Sequence, residues 1–145
     1  MVVKTFRGLL ADSAQERIYL STPKGMMGYK IINFRIITQN PASVAVEGVY
    51  KITKTELTTI DASIDFSSTD LLAVGFYTAN TSPTNPHVED IIFDNQIFNQ
   101  DIFISYKDAY GSAEPGNYYI ELETIPLTEM GAEYTTLKDI RTQKQ

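Results

Sequence analysis

Apolar and polar residues alternate along most of the chain, and a period of two is typical of half-buried β-strands. Four stretches show the pattern most clearly, around residues 29–38, 44–53, 101–107 and 118–123. Residues of one parity in a strand point to the same side of its sheet. We therefore expect nine apolar residues to share one core: Ile32, Phe34, Ile36, Val44, Val46, Ile102, Ile104, Ile120 and Leu122.

Shorter runs predict further strands at residues 2–7, 17–21, 63–66 and 89–93, and the continuously apolar run 71–78 predicts a buried strand. The turn formers at 39–43 predict that the strands on either side form a hairpin, and the loop 108–117 separates a second pair of strands. Eight or nine short strands predict an all-β fold, an antiparallel β-sandwich of jelly-roll or Greek-key type. We expect one domain over residues 1–145, with short extensions at 1–10 and 142–145.

The end of the chain departs from this alternation. Thr128 is a suitable N-cap for a C-terminal helix, and basic residues lie near the helix end. Five apolar residues follow a spacing of three and four and predict the face that the helix buries: Leu127, Met130, Tyr134, Leu137 and Ile140. The alternative is a strand over 134–137, favoured by Gly131, because glycine weakens a helix by about 1 kcal/mol.

Composition and charge restrict the function classes. The 145 residues include no cysteine, which excludes disulfides and cysteine-ligated metals, and no apolar run approaches the length of a membrane span. Residues 1–54 hold eight bases and three acids, whereas residues 55–145 hold four bases and fifteen acids. This asymmetry predicts a contact between copies or with an acidic partner, unless folding mixes the charges. The bases are scattered and the pI is about 4.7, so we expect neither nucleic acid nor a membrane as a partner.

The residue types of catalysis are scarce. His87 is the one histidine, in a proline-containing loop at 82–90, and no Gly-x-Ser-x-Gly sequence accompanies it. We expect His87 to be solvated and dispensable, and we predict no catalytic residue. A hydrolase that uses His87 or a carboxylate pair is the remaining enzymatic hypothesis.

Carboxylates suggest two further kinds of site. Seven acids are candidates for Ca²⁺ ligands: Asp61, Asp65, Asp70, Glu89, Asp90, Asp94 and Asp101. Four are candidates for the acid pair of a glycoside hydrolase: Asp94, Asp101, Glu121 and Glu123. Turns and solvated strand faces explain all of them equally well, and no EF-hand spacing is present, so we predict no metal and no cofactor.

Nine tyrosines suggest a binding role. Tyr77, Tyr110, Tyr118 and Tyr119 are candidates for a platform that stacks on a sugar or for a protein interface, the alternative being positions in the core and at its rim. Combined with the bases of the first third of the chain, they define five predicted interface residues: Lys51, Lys54, Tyr77, Tyr110 and Tyr119.

Five segments carry a resemblance that spans most of the chain: GLLAD at 8–12, RIYLS at 17–21, GYKI at 28–31, IFNQDIFI at 97–104 and NYYIELE at 117–123. They resemble small virion structural proteins of marine bacteriophages. The resemblance implies a non-enzymatic capsid component or decoration protein in the virion, with other capsid proteins and copies of itself as partners. It assigns no binding residues. The alternative function is a carbohydrate-binding module of a tail or surface adhesin.

Overall fold

The computed structural model describes residues 2–41, 43–79 and 87–143, and in these ranges it contains eight strands and one helix. The elements are β1 (Val2–Leu10), β2 (Ala14–Ile18), β3 (Met27–Thr38), β4 (Val46–Thr53), β5 (Leu71–Ala79), β6 (His87–Ile92), β7 (Ile102–Asp108), β8 (Gly116–Pro126) and α1 (Glu129–Gln143). Among the described residues, no helix has both the length and the apolar character needed to cross a membrane.

The strands form two antiparallel sheets. One sheet has three strands in the order β1-β8-β3, and the other has five in the order β2-β7-β4-β5-β6. Their inner faces enclose the apolar core, and α1 follows β8 at one end of the molecule. The predicted all-β antiparallel sandwich with a short C-terminal helix is confirmed.

The hairpin predicted around the turn at 39–43 is wrong. β3 pairs with β8, whereas β4 pairs with β5 and β7, so the turn at 39–43 carries the chain from one sheet to the other. The loop between β7 and β8 makes the same kind of crossing. Turn residues reverse the chain without deciding which strand it joins. The two crossings are linked because Asn40 donates from its backbone and its side chain to Glu114 Oε1, at 2.8 and 2.7 Å.

Two other assignments also change. Residues 2–10 form β1 and pair along their whole length with β8, which confirms the strand predicted at 2–7 and shows that these residues are not an extension of the sandwich. Residues 63–66, predicted as a strand, form none; they lie in the long segment that joins β4 to β5.

The core matches the alternation in seven of its nine predicted positions. Ile32 and Val44 are only half-buried. A register shift lies between Ile31, opposite Leu122, and Asn33, opposite Glu121. Ile32 is the extra residue of this bulge, and Ile31 takes the buried position instead. Val44 lies in the turn before β4.

The outer face of the five-stranded sheet is covered by residues 54–70, which we call the strap. At one edge Gln15 of β2 exchanges two hydrogen bonds with the backbone of Leu57, at 3.1 and 2.8 Å. In the middle Lys51 Nζ donates to Asp61 Oδ1 at 2.9 Å and to the Ser63 carbonyl at 3.0 Å. At the other edge the Phe66 ring meets the edge of Phe93, with centroids 5.1 Å apart. The interior strand β5 is thereby buried on both faces, as its continuous apolar run predicted.

Candidate binding surfaces

An open cleft of about 370 Å³ lies at the α1 end of the sandwich, between β2, the start of β7 and the start of the strap. Arg17 and Asp101 form one wall, and Glu56 and Gln100 are among its other lining residues. The cleft therefore offers both charge signs and an amide to a polar ligand.

The Arg17–Asp101 ion pair is firmly positioned. The guanidinium donates from Nε and Nη2 to Asp101 Oδ2, at 2.8 and 2.6 Å. The backbone N–H groups of Leu20 and Ser21 donate to Oδ1 at 2.6 and 2.8 Å. Burial raises the pKa of Asp101, but these hydrogen bonds outweigh it and hold the pKa below its ordinary value. The exposed ring of Tyr19 lies 5.0 Å from the guanidinium carbon, beside the cleft.

A second cleft of about 610 Å³ adjoins the first and shares Ser21 and Gln100 with it. Thr136 and Leu137 of α1 line one side, and residues 21–25 line the other. Gly25 has a φ of +61°, and a Cβ there would lie 2.8 Å from Asn99 Nδ2 and 2.9 Å from Thr136 Oγ1 of the helix. Glycine is required at this point, both for the backbone conformation and for the close approach of the loop to the helix.

Helix α1 presents the opposite face from the one predicted. Ala132, Thr135 and Asp139 are buried, whereas Tyr134 and Leu137 are 70% and 61% exposed. The predicted buried apolar face is therefore wrong at Tyr134 and Leu137, whereas Leu127 and Ile140 are half-buried and the side chain of Met130 lies outside the described residues. A polar network on the other face links the helix to the sandwich. The N-cap is confirmed, since Thr128 Oγ1 accepts a hydrogen bond from the N–H of Gly131 at 3.1 Å.

Asn99 is the centre of that network. Its side-chain amide donates to the Gly25 carbonyl at 3.1 Å and to Thr136 Oγ1 at 2.6 Å. Its backbone N–H donates to Asp139 Oδ2 at 3.0 Å, while Asp139 Oδ1 lies 3.4 Å from Lys54 Nζ. Burial lowers the pKa of Lys54, and Asp139 opposes this shift only in part. Sequence reasoning missed Asn99; the only signal is its position between the apolar residues 97–98 and a predicted strand.

Three of the five predicted interface residues do not reach a free surface. Lys54 is buried beneath α1, Tyr77 is in the core, and Lys51 is bound by the strap. Tyr110 is exposed at the end opposite α1. Tyr119 lies half-buried on the outer face of the three-stranded sheet, where its hydroxyl donates to Glu121 Oε1 at 2.8 Å.

The four tyrosines of the proposed platform are not brought together. Tyr118 and Tyr119 are neighbours in β8 and point to opposite faces, and Tyr118 is buried with its hydroxyl donating to Glu16 Oε2. Tyr77 lies in the other sheet. The core position of Tyr77 and Tyr118 agrees with the alternative interpretation of these residues.

The candidate calcium ligands are spread over the structure and mostly engaged. Asp61 binds Lys51, Asp65 accepts from the backbone and hydroxyl of Ser67, Asp70 accepts from Thr55 and Ser68, and Asp90 lies 3.5 Å from Arg35. Over the described parts of the chain, no three His, Cys, Asp or Glu residues gather as metal ligands. Glu121 and Glu123 share the outer face of the three-stranded sheet, away from Asp101 in its cleft.

His87 begins strand β6 and is exposed. Its Nε2 lies 3.2 Å from Glu89 Oε1, another exposed side chain. The loop residues 82–86 before it lie outside the described residues.

No family model matches the chain, and no curated protein or solved structure matches it either.

Proposed function

We propose that the protein is a non-enzymatic structural subunit that binds neighbouring protein subunits, and that its assembly is a virus capsid, which it decorates or helps to build. The observation that carries this proposal is the orientation of α1. Its polar residues face the sandwich and two of its large apolar side chains face outward.

The outward face of α1 has the character of a protein interface. Tyr134 and Leu137 stand out from the helix, and Leu137 also lines the 610 Å³ cleft. Burying such side chains against a partner removes apolar area from water, and tyrosine is enriched at interfaces because it combines contact area with a polar tip. Covering them would be favourable without any rearrangement of the sandwich.

The buried carboxylates support a structural role as well. Asp108 accepts hydrogen bonds from the N–H groups of Glu47, Tyr110 and Glu114, at 3.2, 2.9 and 3.3 Å. Asp101 and Asp139 are held in the same way by backbone N–H groups and a cation. Carboxylates engaged on several sides fix loops in place, which suits a subunit that presents a rigid surface.

The capsid is proposed from the resemblance to phage virion proteins. Binding would stabilise the shell by mass action, because each site that exists on the assembled shell and not on free subunits favours assembly when it is occupied. A small, cysteine-free β-sandwich is well suited to such a position.

The test measures the copy number of the chain in particles purified from a culture that produces it, by quantitative mass spectrometry. We expect a fixed ratio to the major shell protein. The Y134S/L137S double variant should lose most of its occupancy, whereas Tyr110→Ser, at the opposite end of the sandwich, should keep it. Absence of the chain from particles, or normal occupancy by the double variant, would contradict the proposal.

A second candidate function is carbohydrate binding at the 370 Å³ cleft, as in a tail or surface adhesin. The supporting observation is Tyr19, an exposed ring 5.0 Å from Arg17, which lines the cleft together with Glu56 and Gln100. Sugars are bound by an aromatic ring and nearby polar groups together. Titration with a panel of mono- and disaccharides, followed by NMR, should show shifts around the cleft that Tyr19→Ala abolishes. Unchanged spectra for the whole panel would eliminate this candidate.

A further inference from the structure

Strand β1 forms an open edge of the three-stranded sheet. β8 pairs with one side of β1 without a register shift, and no strand among the described residues pairs with the other side. The strand has nine residues, no proline and no bulge, and most of its residues are exposed. Proteins usually block such an edge with proline, a bulge or a covering segment, because its free N–H and C=O groups accept a further strand. The opposite edge strand, β3, instead borders β6, to which Arg35 is linked by the Asp90 ion pair.

The sequence of β1 is symmetric in polarity about Phe6. It reads Val-Val-Lys-Thr-Phe-Arg-Gly-Leu-Leu, so apolar residues occupy both ends and the centre, and the positions between them are polar or glycine. An antiparallel pair of β1 strands centred on Phe6 places Val2 opposite Leu10 and Val3 opposite Leu9. In this pairing every apolar residue meets an apolar residue, and no two like charges are directly opposite.

We propose that two copies of the chain associate by antiparallel pairing of their β1 strands, centred on Phe6, so that their three-stranded sheets join into one sheet of six strands. The proposal rests on the proposed function, since it names a second copy as one of the neighbouring subunits. The interface is two-fold symmetric, so each contact occurs twice. In a pair of identical antiparallel strands each residue faces the position on the other side of Phe6, so the polarity pattern must be symmetric about Phe6. Pairing with a different strand would not require this symmetry.

Side chains on the outer face favour the same register. Arg7 of one copy lies opposite Thr5 of the other, and Glu121 of that second copy is the residue beside Thr5 in the next strand. The Arg7 guanidinium of one copy therefore lies in the same cross-strand row as the Glu121 carboxylate of the other copy. Backbone hydrogen bonds would supply most of the affinity in such strand addition, and the side chains would select the register.

The first experiment measures the mass of the full chain by light scattering and sedimentation over a range of concentrations. We expect a reversible dimer, and we expect Leu9→Lys to raise its dissociation constant by about tenfold or more, because each dimer loses two apolar cross-strand pairs. The matched control is Ile37→Lys. Ile37 occupies the same row as Leu9 at the other edge of the sheet, since both are opposite Asn117, and the two are 49% and 48% exposed.

The second experiment tests the register by a charge exchange. Val3→Lys and Leu9→Glu should each weaken the dimer, and the V3K/L9E double variant should restore it in a salt-sensitive form, because each introduced lysine faces the introduced glutamate of the other copy. The two substituted positions in one chain are about 20 Å apart along an extended strand, so they cannot pair internally. Circular dichroism and the unfolding temperature verify that each variant is folded.

Three results would overturn the β1 pairing: a monomer at every concentration, equal weakening by Leu9→Lys and Ile37→Lys, or no rescue in the double variant. These are separable from failure of the proposed function. A monomer that still occupies particles at fixed copy number overturns only the pairing, and a dimer that is absent from particles overturns only the capsid role.

Discussion

The ammonium of Lys54 lies 3.4 Å from the carboxylate of Asp139, and the two side chains are 4% and 1% exposed. One follows β4 and the other belongs to α1, so this buried pair links the C-terminal helix to the middle of the five-stranded sheet. Two charges withdrawn from water must compensate each other, and each is costly without its partner.

Replacing Lys54 with Met should therefore lower the free energy of unfolding by about 3 to 5 kcal/mol, because the Asp139 carboxylate would stay buried without its cation. Urea denaturation measures the loss. The matched control is Lys51→Met, whose partner Asp61 is exposed, and it should cost about 1 kcal/mol or less. Equal losses in the two variants would show that burial of the pair is not what matters.

Tyr50 and Tyr106 make a second comparison, because their buried rings lie 4.6 Å apart and their hydroxyls differ. Tyr106 donates to the Glu114 carbonyl at 2.5 Å, whereas the buried Tyr50 hydroxyl has no hydrogen-bond partner in the described structure. Tyr106→Phe should cost about 1 to 3 kcal/mol, and Tyr50→Phe should be neutral or stabilising.

Thermal and urea unfolding of the two variants, compared with the parent chain, measure this difference. Burial raises the pKa of both phenols above the ordinary value of 10.0. Above that pH the unfolded chain ionises these phenols more readily than the folded chain does, so the free energy of unfolding falls. Tyr50→Phe should reduce the alkaline loss. A Tyr50 variant as unstable as the Tyr106 variant would contradict the prediction.

The hydrogen bonds of Asp101 should be visible in the pH dependence of stability. Its pKa is lowered in the folded chain from the ordinary value of 3.8, so its contribution is complete above that pH and is lost as the pH falls through the folded pKa. Asp101→Asn should therefore be less stable than the parent near neutral pH, by about 1 to 3 kcal/mol. Urea denaturation at several pH values should show this gap closing in acid; a gap independent of pH would disprove the assignment.

The strap should open locally when its edge contact is removed. The Leu57 amide donates to Gln15 Oε1, so Gln15→Ala should speed hydrogen exchange at Leu57 while lowering global stability by only about 1 kcal/mol. Gln39→Ala, on an exposed turn, is the control and should leave the exchange at Leu57 unchanged. The outcome that would refute this role for Gln15 is unchanged protection at Leu57.

Alternation alone was sufficient to predict most strands, because the face of a strand follows from local spacing. Phe34 and Ile36 are buried as expected, and the error at Ile32 arises from one extra residue that leaves no mark in the pattern. Pairing was not predictable in the same way. Whether β3 joins β4 or β8 depends on residues about eighty positions further along the chain.

The candidate surfaces were the least predictable part. The buried face of α1 depends on the contacts of Asp139 with Asn99 and Lys54, which lie far from it in the sequence. The spacing of apolar residues within the helix does not reveal these contacts. Lys51 and Lys54 appeared as free cations for the same reason. Their partners, Asp61 and Asp139, become neighbours only when the strap and the helix are in place.

The placement of β8 has a consequence for synthesis on the ribosome. Among the described residues, both β1 and β3 pair with β8, which follows them in the sequence, and with no other strand of their sheet. Strand β1 therefore meets its partner only after more than 100 further residues have been translated, because Leu10 pairs with Gly116. The five-stranded sheet consists of β2, β4, β5, β6 and β7, which all emerge before β8, so its apolar inner side stays uncovered until the three-stranded sheet is complete. A product terminated before β8 would keep that side open, which makes ribosome stalling before β8 a direct route to aggregation.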